Sequence, residues 1–368
     1  MRIWMRRTLA AVLVMSLLLS GSVVFATESN ETQPTEAPAE TVSPTEASAE
    51  ESTEAPTEPS AEEPTEPEPT APKYEVDTSA GLYKVCAEMA SGMSYDQILV
   101  YDATNDKLIF EDTREGSKLY PASVTKLYSS WVALQIMEPD EVVTIGDELK
   151  LVHEGSSVAD LRAGQRPYVR NLVEGMMLPS GNDAATVLAV AAGRKLAEDE
   201  TLDAEEAMYT FVDEMNRKAR ELGFERSHFS NPDGWHSGSH YTCINDMILI
   251  AKLALADETI SRYIRRAEDE VTFASGQTLT WENTNKLLDE EEPYYRGDAI
   301  GMKTGYTRQA EQCLMSAYRC SDGRTLVIGV FGYADGNKRY SEINKLAKVC
   351  KEQIKLEVKE AKAAAKKK

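Results

Sequence analysis

Three short runs hold residues whose types and spacing could do chemistry together: Ser123-Val124-Thr125-Lys126, Ser180-Gly181-Asn182 and Lys303-Thr304-Gly305. Ser123 and Lys126 are three apart at the start of an expected helix, so their side chains share one face and lie within mutual reach. A serine hydroxyl is inert until a base takes its proton. No Asp-His couple is apparent, so Lys126 must be that base, which requires its ammonium pKa to be lowered by burial or by a second cation such as Lys303. Ser180 could pass a proton from Lys126 to a leaving amine, and the Asn182 amide could hold a substrate carbonyl. Lys303 and Thr304 could grip a terminal carboxylate while an exposed strand edge receives an extended peptide, with Gly305 permitting close backbone approach. Each run alone is weak, because Ser-x-x-Lys arises often by chance, Ser-Gly-Asn can be a plain turn and Lys-Thr-Gly an ordinary strand end. They inform together because each falls where its chemistry needs it.

The elements that must position them follow from pattern. Gln97 to Tyr101 and Lys107 to Phe110 read as a hairpin across Thr104-Asn105-Asp106. A helix should begin near Ser123 and run through Leu127, Trp131, Leu134 and Met137 until Pro139-Asp140. Met176-Met177-Leu178-Pro179 should set Ser180 and Asn182 on a turn between helices, within a helical layer from Val169 to Ala219. Gln312 to Tyr318 and Thr325 to Tyr333 read as antiparallel strands around Ser321-Asp322-Gly323, followed by a helix through Ile343, Leu346, Ala347, Cys350 and Ile354. The expected class is α+β: an antiparallel sheet with strands from both chain ends, flanked by helices, with a helical subdomain.

The chain has 368 residues and a net charge of −21. Residues 1–26 read as a secretory signal, with Arg6-Arg7, an apolar run from Leu9 to Leu19 and small residues at Ala26. An uncleaved anchor is the alternative. Residues 27–72 are Pro, Thr, Glu, Ala and Ser without Lys or Arg, and should be a disordered spacer reaching roughly 140 Å at most. Its thirteen glutamates leave −8 for the rest of the chain, so much of the acidity is tail and not binding face. Residues 73–358 form one catalytic domain, and 359–368 a basic tail; beyond Lys351 the chain reads as a solvated, fraying helix end with some capacity for anionic polymer or lipid. The five cysteines show no metal-like spacing and no disulfide frame is expected. Four scattered histidines make no zinc pattern, so no metal or other cofactor is expected. No basic patch with interleaved aromatics supports nucleic-acid binding.

The chain resembles the low-molecular-weight penicillin-binding proteins that act as serine-type D-Ala-D-Ala carboxypeptidases, whose three motifs are the ones above. The likeness covers roughly residues 97–350 and includes Tyr120 to Lys126, Gly175 to Ala185, Met215-Asn216, Phe229 to Gly234, Asn283-Thr284-Asn285 and Lys303 to Thr307, in family order. It implies a β-lactamase/transpeptidase-like fold and an enzyme that attacks the carbonyl between two D-alanines of a peptidoglycan stem peptide with Ser123. It further implies Lys126 as base, Ser180 as proton shuttle, Asn182, Lys303, Thr304 and Gly305 as substrate-binding residues, and an oxyanion hole from the backbone N–H groups of Ser123 and Tyr306. β-Lactams would be covalent inhibitors, and the place of action the extracytoplasmic cell wall, with secretion or tethering by the N-terminus. One departure is Glu311, where the family usually has Gly. Another is that the small all-β domain and amphipathic helix that better-known members carry after the sheet are not found here. Rival readings are a class A β-lactamase, for which Glu214 followed by Lys218 supplies a poor pair, a peptidoglycan endopeptidase or esterase, and a penicillin-binding module without turnover.

Overall fold

The computed structural model describes residues 74–116 and 118–367. The expected secretory signal and spacer lie outside the described residues. Helix α1 (Gly81–Ser91) precedes the hairpin β1 (Gln97–Asp102) and β2 (Lys107–Thr113), and a 3-10 turn over Ala122–Thr125 leads into α2 (Lys126–Leu134). The helical region follows as α3 (Val169–Met177), α4 (Asn182–Ala197), α5 (Ala204–Glu221), α6 (Ile244–Ala256) and α7 (Glu258–Tyr263). A small hairpin, β3 (Glu268–Thr272) and β4 (Thr278–Glu282), precedes β5 (Ala299–Thr307), β6 (Glu311–Arg319), β7 (Thr325–Tyr333) and α8 (Gly336–Ala365).

The sheet runs β2-β1-β7-β6-β5, with every neighbouring pair antiparallel. Strands from the two ends of the domain therefore meet at the β1–β7 seam, as the pattern led one to expect. Side-chain alternation decides which layer each strand residue joins. Ile98, Val100, Leu314, Tyr318, Ile328 and Val330 pack with α1 and α8 on one face. Leu99, Tyr101, Met315, Ala317, Val327 and Phe331 pack against the helical region on the other. Both faces of the sheet are thus covered, which explains why β1 and β7 read as almost continuous apolar runs.

One difference from the sequence reading has a simple cause. Regular helix stops at Leu134, not Met137, because the chain tightens to 3-10-type bonds before Pro139, with Gln135 N donating to Val132 O. At the other end α8 runs on through the basic stretch to Ala365, since Glu, Lys and Ala are strong helix formers even where no core supports them. Cys86 on α1 and Cys350 on α8, far apart in sequence, bring their sulfurs to 3.2 Å of one another in the buried layer.

Candidate active site

Pro121 begins the turn that presents the nucleophile, with Val124 N donating to Pro121 O at 3.1 Å. Ala122 takes a left-handed backbone (φ 47°), and the turn hands Ser123 to the N-terminal end of α2. Lys126 is the first residue of that helix and is fully buried. Its Nζ lies 2.9 Å from Ser123 Oγ, 2.7 Å from Asn182 Oδ1 and 2.8 Å from Asp233 O. The amide and peptide oxygens can only accept. A neutral Lys126 amine has two N–H donors, which those two oxygens consume, so its lone pair is left facing the Ser123 hydroxyl. The residue is thereby built to receive a proton from Ser123.

Its pKa supports that use, being lowered to about 8. Burial is the main cause, opposed by the negative charges of Asp233 and Asp183. A place at a helix N-terminus disfavours a cation in the same sense. Repulsion from Lys303, expected from the sequence as one route to the shift, is felt at Lys303 instead. There burial first, then Lys126 and Arg339, push the amine well below its ordinary value.

Proline at 179 prevents α3 from continuing, and Ser180 turns the chain with φ 62°. Gly181 N then bonds Gly175 O and Asn182 N bonds Ser157 O, both at 2.8 Å, fixing Ser180 and the start of α4. On the far side of the cleft, β5 is the free edge of the sheet. Gly305 lies so close to the nucleophile turn that a Cβ there would stand 2.9 Å from Pro121 O and 3.1 Å from Ser123 N. Thr304 Oγ1 shares a 2.6 Å hydrogen bond with Thr284 Oγ1.

Ser123, Ser180, Asn182, Thr304, Gly305 and Tyr306 all line one cleft of about 560 Å³. Lys126 and Lys303 are not in its wall but fully buried beneath it. Lys303 Nζ donates to Thr304 O at 3.1 Å, within β5 itself.

Several contributors escaped the sequence reading. Asp233 acts through its carbonyl, a role no side-chain type announces. Gly234, next to it, has φ 84° and would place a Cβ 1.8 Å from Ala122 O, so the 231–236 loop is pressed directly on the nucleophile turn. Arg339, at the start of α8, lines the cleft and donates through Nη1 to Cys313 O at 2.5 Å and Gly305 O at 3.4 Å. Nothing in its spacing pointed to it. His240 is buried, with its pKa pushed down to about 3 chiefly by burial and further by the proximity of His228, His236 and Lys126. Its Nδ1 accepts from Ser230 N, so the ring's proton sits on Nε2 and is donated to Thr125 Oγ1. It is a neutral strut and not a base.

Glu214 pairs with Arg217 and Lys218 along α5 and is absent from the cleft wall, which removes the β-lactamase-type water activator. Among the described residues no group of three or more His, Cys, Asp or Glu could hold a metal ion. No helix among them is long and apolar enough to cross a membrane.

A free edge strand, a serine on the turn into α2 and a buried amine meet at one cleft of an α+β fold, an arrangement suited to acyl-serine chemistry. The chain belongs to the D-alanyl-D-alanine carboxypeptidase family of serine peptidases, whose model matches residues 85–334. It is 27% identical over 259 residues to the D-alanyl-D-alanine carboxypeptidase DacF of Bacillus subtilis (strain 168), covering 67% of this chain and 62% of that protein. With a D-alanyl-D-alanine carboxypeptidase of Streptomyces sp. (strain K15) the identity is 32% over 244 residues, covering 64% of this chain and 78% of the relative. Escherichia coli (strain K12) DacA is 29% identical, with 68% and 59% covered. The chain thus spans about six tenths of the length of the Bacillus and Escherichia relatives. The crystal structure of the Streptomyces K15 DD-transpeptidase superposes with a TM-score of 0.62 at 26% identity, over 70% of this chain and 97% of that one.

Proposed function

We propose that this chain is a serine-type D-alanyl-D-alanine carboxypeptidase that removes the terminal D-Ala from peptidoglycan stem pentapeptides through a Ser123 acyl-enzyme. The observation that carries the reading is the Lys126 amine, 2.9 Å from Ser123 Oγ with two obligate acceptors on its other sides. Family membership supplies the substrate class.

In this reading the neutral Lys126 takes the Ser123 proton as Oγ attacks the penultimate D-Ala carbonyl. The N–H groups of Ser123 and Tyr306 receive the negative charge that develops on the carbonyl oxygen, and Asn182 orients the peptide. The proton passes from Lys126 by way of Ser180 to the leaving amine, and D-Ala departs. Water then attacks the ester while Lys126 takes its proton; the acyl–Oγ bond breaks, Lys126 returns that proton to Ser123 Oγ, and the shortened peptide leaves as its carboxylate. The terminal carboxylate is held by Thr304, with the Lys303 amine and the Arg339 cation behind it, and Gly305 lets the peptide lie along β5 as an added strand. A β-lactam, which presents a carboxylate and a strained amide in the same relation, is captured at Ser123 by the same groups. Residues 1–26 as an export signal and 27–72 as a spacer would place the domain at the cell wall, secreted or tethered.

The test is release of D-alanine from diacetyl-Lys-D-Ala-D-Ala, with and without prior penicillin, for wild type and Ser123→Ala. Penicillin-sensitive release that Ser123→Ala abolishes is the expected result. Stable penicillin labelling without D-Ala release would move the assignment to an endopeptidase or a binding module, and labelling of Ser123→Ala would overturn the nucleophile.

A further inference from the structure

Cys86 and Cys350 stand 264 positions apart, yet their sulfurs are 3.2 Å from one another and both side chains are fully buried. That separation exceeds the covalent S–S bond of ~2.05 Å by only about 1.2 Å. Cys86 lies on α1 between Leu82 and Ala90, and Cys350 on α8 between Leu346, Ala347 and Ile354, all in one apolar cluster. The helices also approach closely at Gly81, where a Cβ would meet the Gln353 side chain at 2.5 Å. No other sulfur pair among the described residues comes within hydrogen-bonding distance. A packing thiol needs no second thiol against it; here the chain places its two most distant described cysteines in contact.

We propose that Cys86 and Cys350 are joined as a disulfide that ties the first helix of the domain to its last. The proposal depends on the preceding reading only in putting the chain outside the cytoplasm, where disulfides persist. The oxidant is a disulfide-bearing compound, a small-molecule disulfide or an oxidised thiol–disulfide oxidoreductase. One cysteine thiolate attacks it, forming a mixed disulfide and releasing one thiol. The second thiolate then attacks the protein sulfur of that mixed disulfide, forming the Cys86–Cys350 bond and releasing the other thiol. One S–S bond is made and one broken, and two electrons and two protons pass to the acceptor. Contact with Cys86, together with burial, holds the Cys350 thiol well above its ordinary pKa. The thiolate is therefore scarce in the closed molecule, and exchange belongs to folding or to transient opening of the α1–α8 layer.

The consequence reaches the active site through one helix. Three turns before Cys350, α8 carries Arg339, whose guanidinium holds Gly305 O and Cys313 O at the catalytic edge. Fixing α8 to α1 removes a large loop from the unfolded chain's freedom and keeps that arginine in place as temperature rises. The chemistry itself does not need the bond.

The experiment folds the full chain with excess oxidised glutathione, alkylates remaining thiols in denaturant, and maps tryptic peptides before and after reduction. The expected result is one linked peptide carrying Cys86 and Cys350, lighter than its two thiol parts by two hydrogens, with Cys243, Cys313 and Cys320 alkylated. The oxidised protein should melt about 5–10 °C above the reduced one, and Cys350→Ala should lose that increment. Penicillin labelling at room temperature should be the same in both forms. Alkylation of both Cys86 and Cys350, or a link from either to Cys320, would overturn the proposal, and because the wild-type map decides this, a poorly folding variant cannot hide the answer. A Cys86–Cys350 link in a protein that penicillin does not label would sink the carboxypeptidase reading and leave the disulfide standing.

Discussion

The rate at which Ser123 is acylated should rise with pH through the titration of Lys126. With a pKa of about 8, the neutral amine makes up about 1% of the residue at pH 6, about 10% at pH 7, half at pH 8 and about 90% at pH 9. The sign follows from the hydrogen bonds: the protonated amine spends its third N–H on Ser123 Oγ and has no lone pair to offer, so the low-pH form is the inactive one. The second-order constant for acylation by a chromogenic cephalosporin or fluorescent penicillin, measured at fixed ionic strength, should therefore climb roughly ninety-fold from pH 6 to pH 9 and then level off. Asp183 raises the Lys126 pKa against the effect of burial. Asp183→Asn should accordingly move the midpoint below that of the wild type and speed acylation at neutral pH. A profile that is flat from pH 6 to pH 8, or a midpoint that moves upward in Asp183→Asn, would refute the assignment of Lys126 as a base tuned by burial.

Two substitutions test the geometry around the nucleophile. Gly234→Ala would push a Cβ to 1.8 Å from Ala122 O at a left-handed backbone position, and the resulting shift of the Ser123 turn should slow acylation about a hundred-fold. Stopped-flow labelling measures it, and a near-normal rate would show that the 231–236 loop does not set the position of Ser123. Glu311→Gly should stabilise the domain by about 0.5–1 kcal/mol, since Glu311 holds a left-handed φ of 51° that costs about 1–2 kcal/mol without glycine, less the added chain entropy. Chemical denaturation reads the gain, and a loss of stability would mean that the Glu311 side chain contributes more than its backbone strain costs.

That glutamate also marks the boundary of what the sequence could reveal. The departure from the family's glycine was visible at position 311, but its meaning depends on a φ value that only the turn from β5 into β6 supplies. Local pattern was enough for the hairpin of β1 and β2, the pair β6 and β7, and the helix through Ile343 and Ile354, because alternation or helical spacing there comes from residues near in sequence. It was enough to set Ser123 beside Lys126 and Ser180 beside Asn182 as well, since each pair falls within four positions of chain. Long-range placement was not available in this way. The Asp233 carbonyl on Lys126, Arg339 behind Gly305 and Cys86 against Cys350 join segments separated by 34 to 264 residues, and no local spacing announces any of these contacts. The cause of the Lys126 shift was open for the same reason, because burial is a property of the packed molecule.

The backbone at the site is strained on both sides of the nucleophile. Ala122 (φ 47°) directly precedes Ser123, and Ser180 (φ 62°) faces it across the cleft. For residues with a Cβ each costs about 1–2 kcal/mol, and neither has the excuse of glycine. Such conformations persist only where surrounding contacts determine them more strongly than local preference does. Here the determining contacts can be named: Gly234 and Gly305 pack their bare backbones against Pro121, Ala122 and Ser123 from two directions, and the bonds from Gly181 N to Gly175 O and from Asn182 N to Ser157 O fix the chain around Ser180. The arrangement holds Ser123 Oγ at the lone pair of Lys126 before any substrate arrives, so the entropy of bringing nucleophile and base together is spent in folding and not at the moment of reaction. It also explains why two glycines that take no part in proton transfer should be as intolerant of substitution as the residues that do.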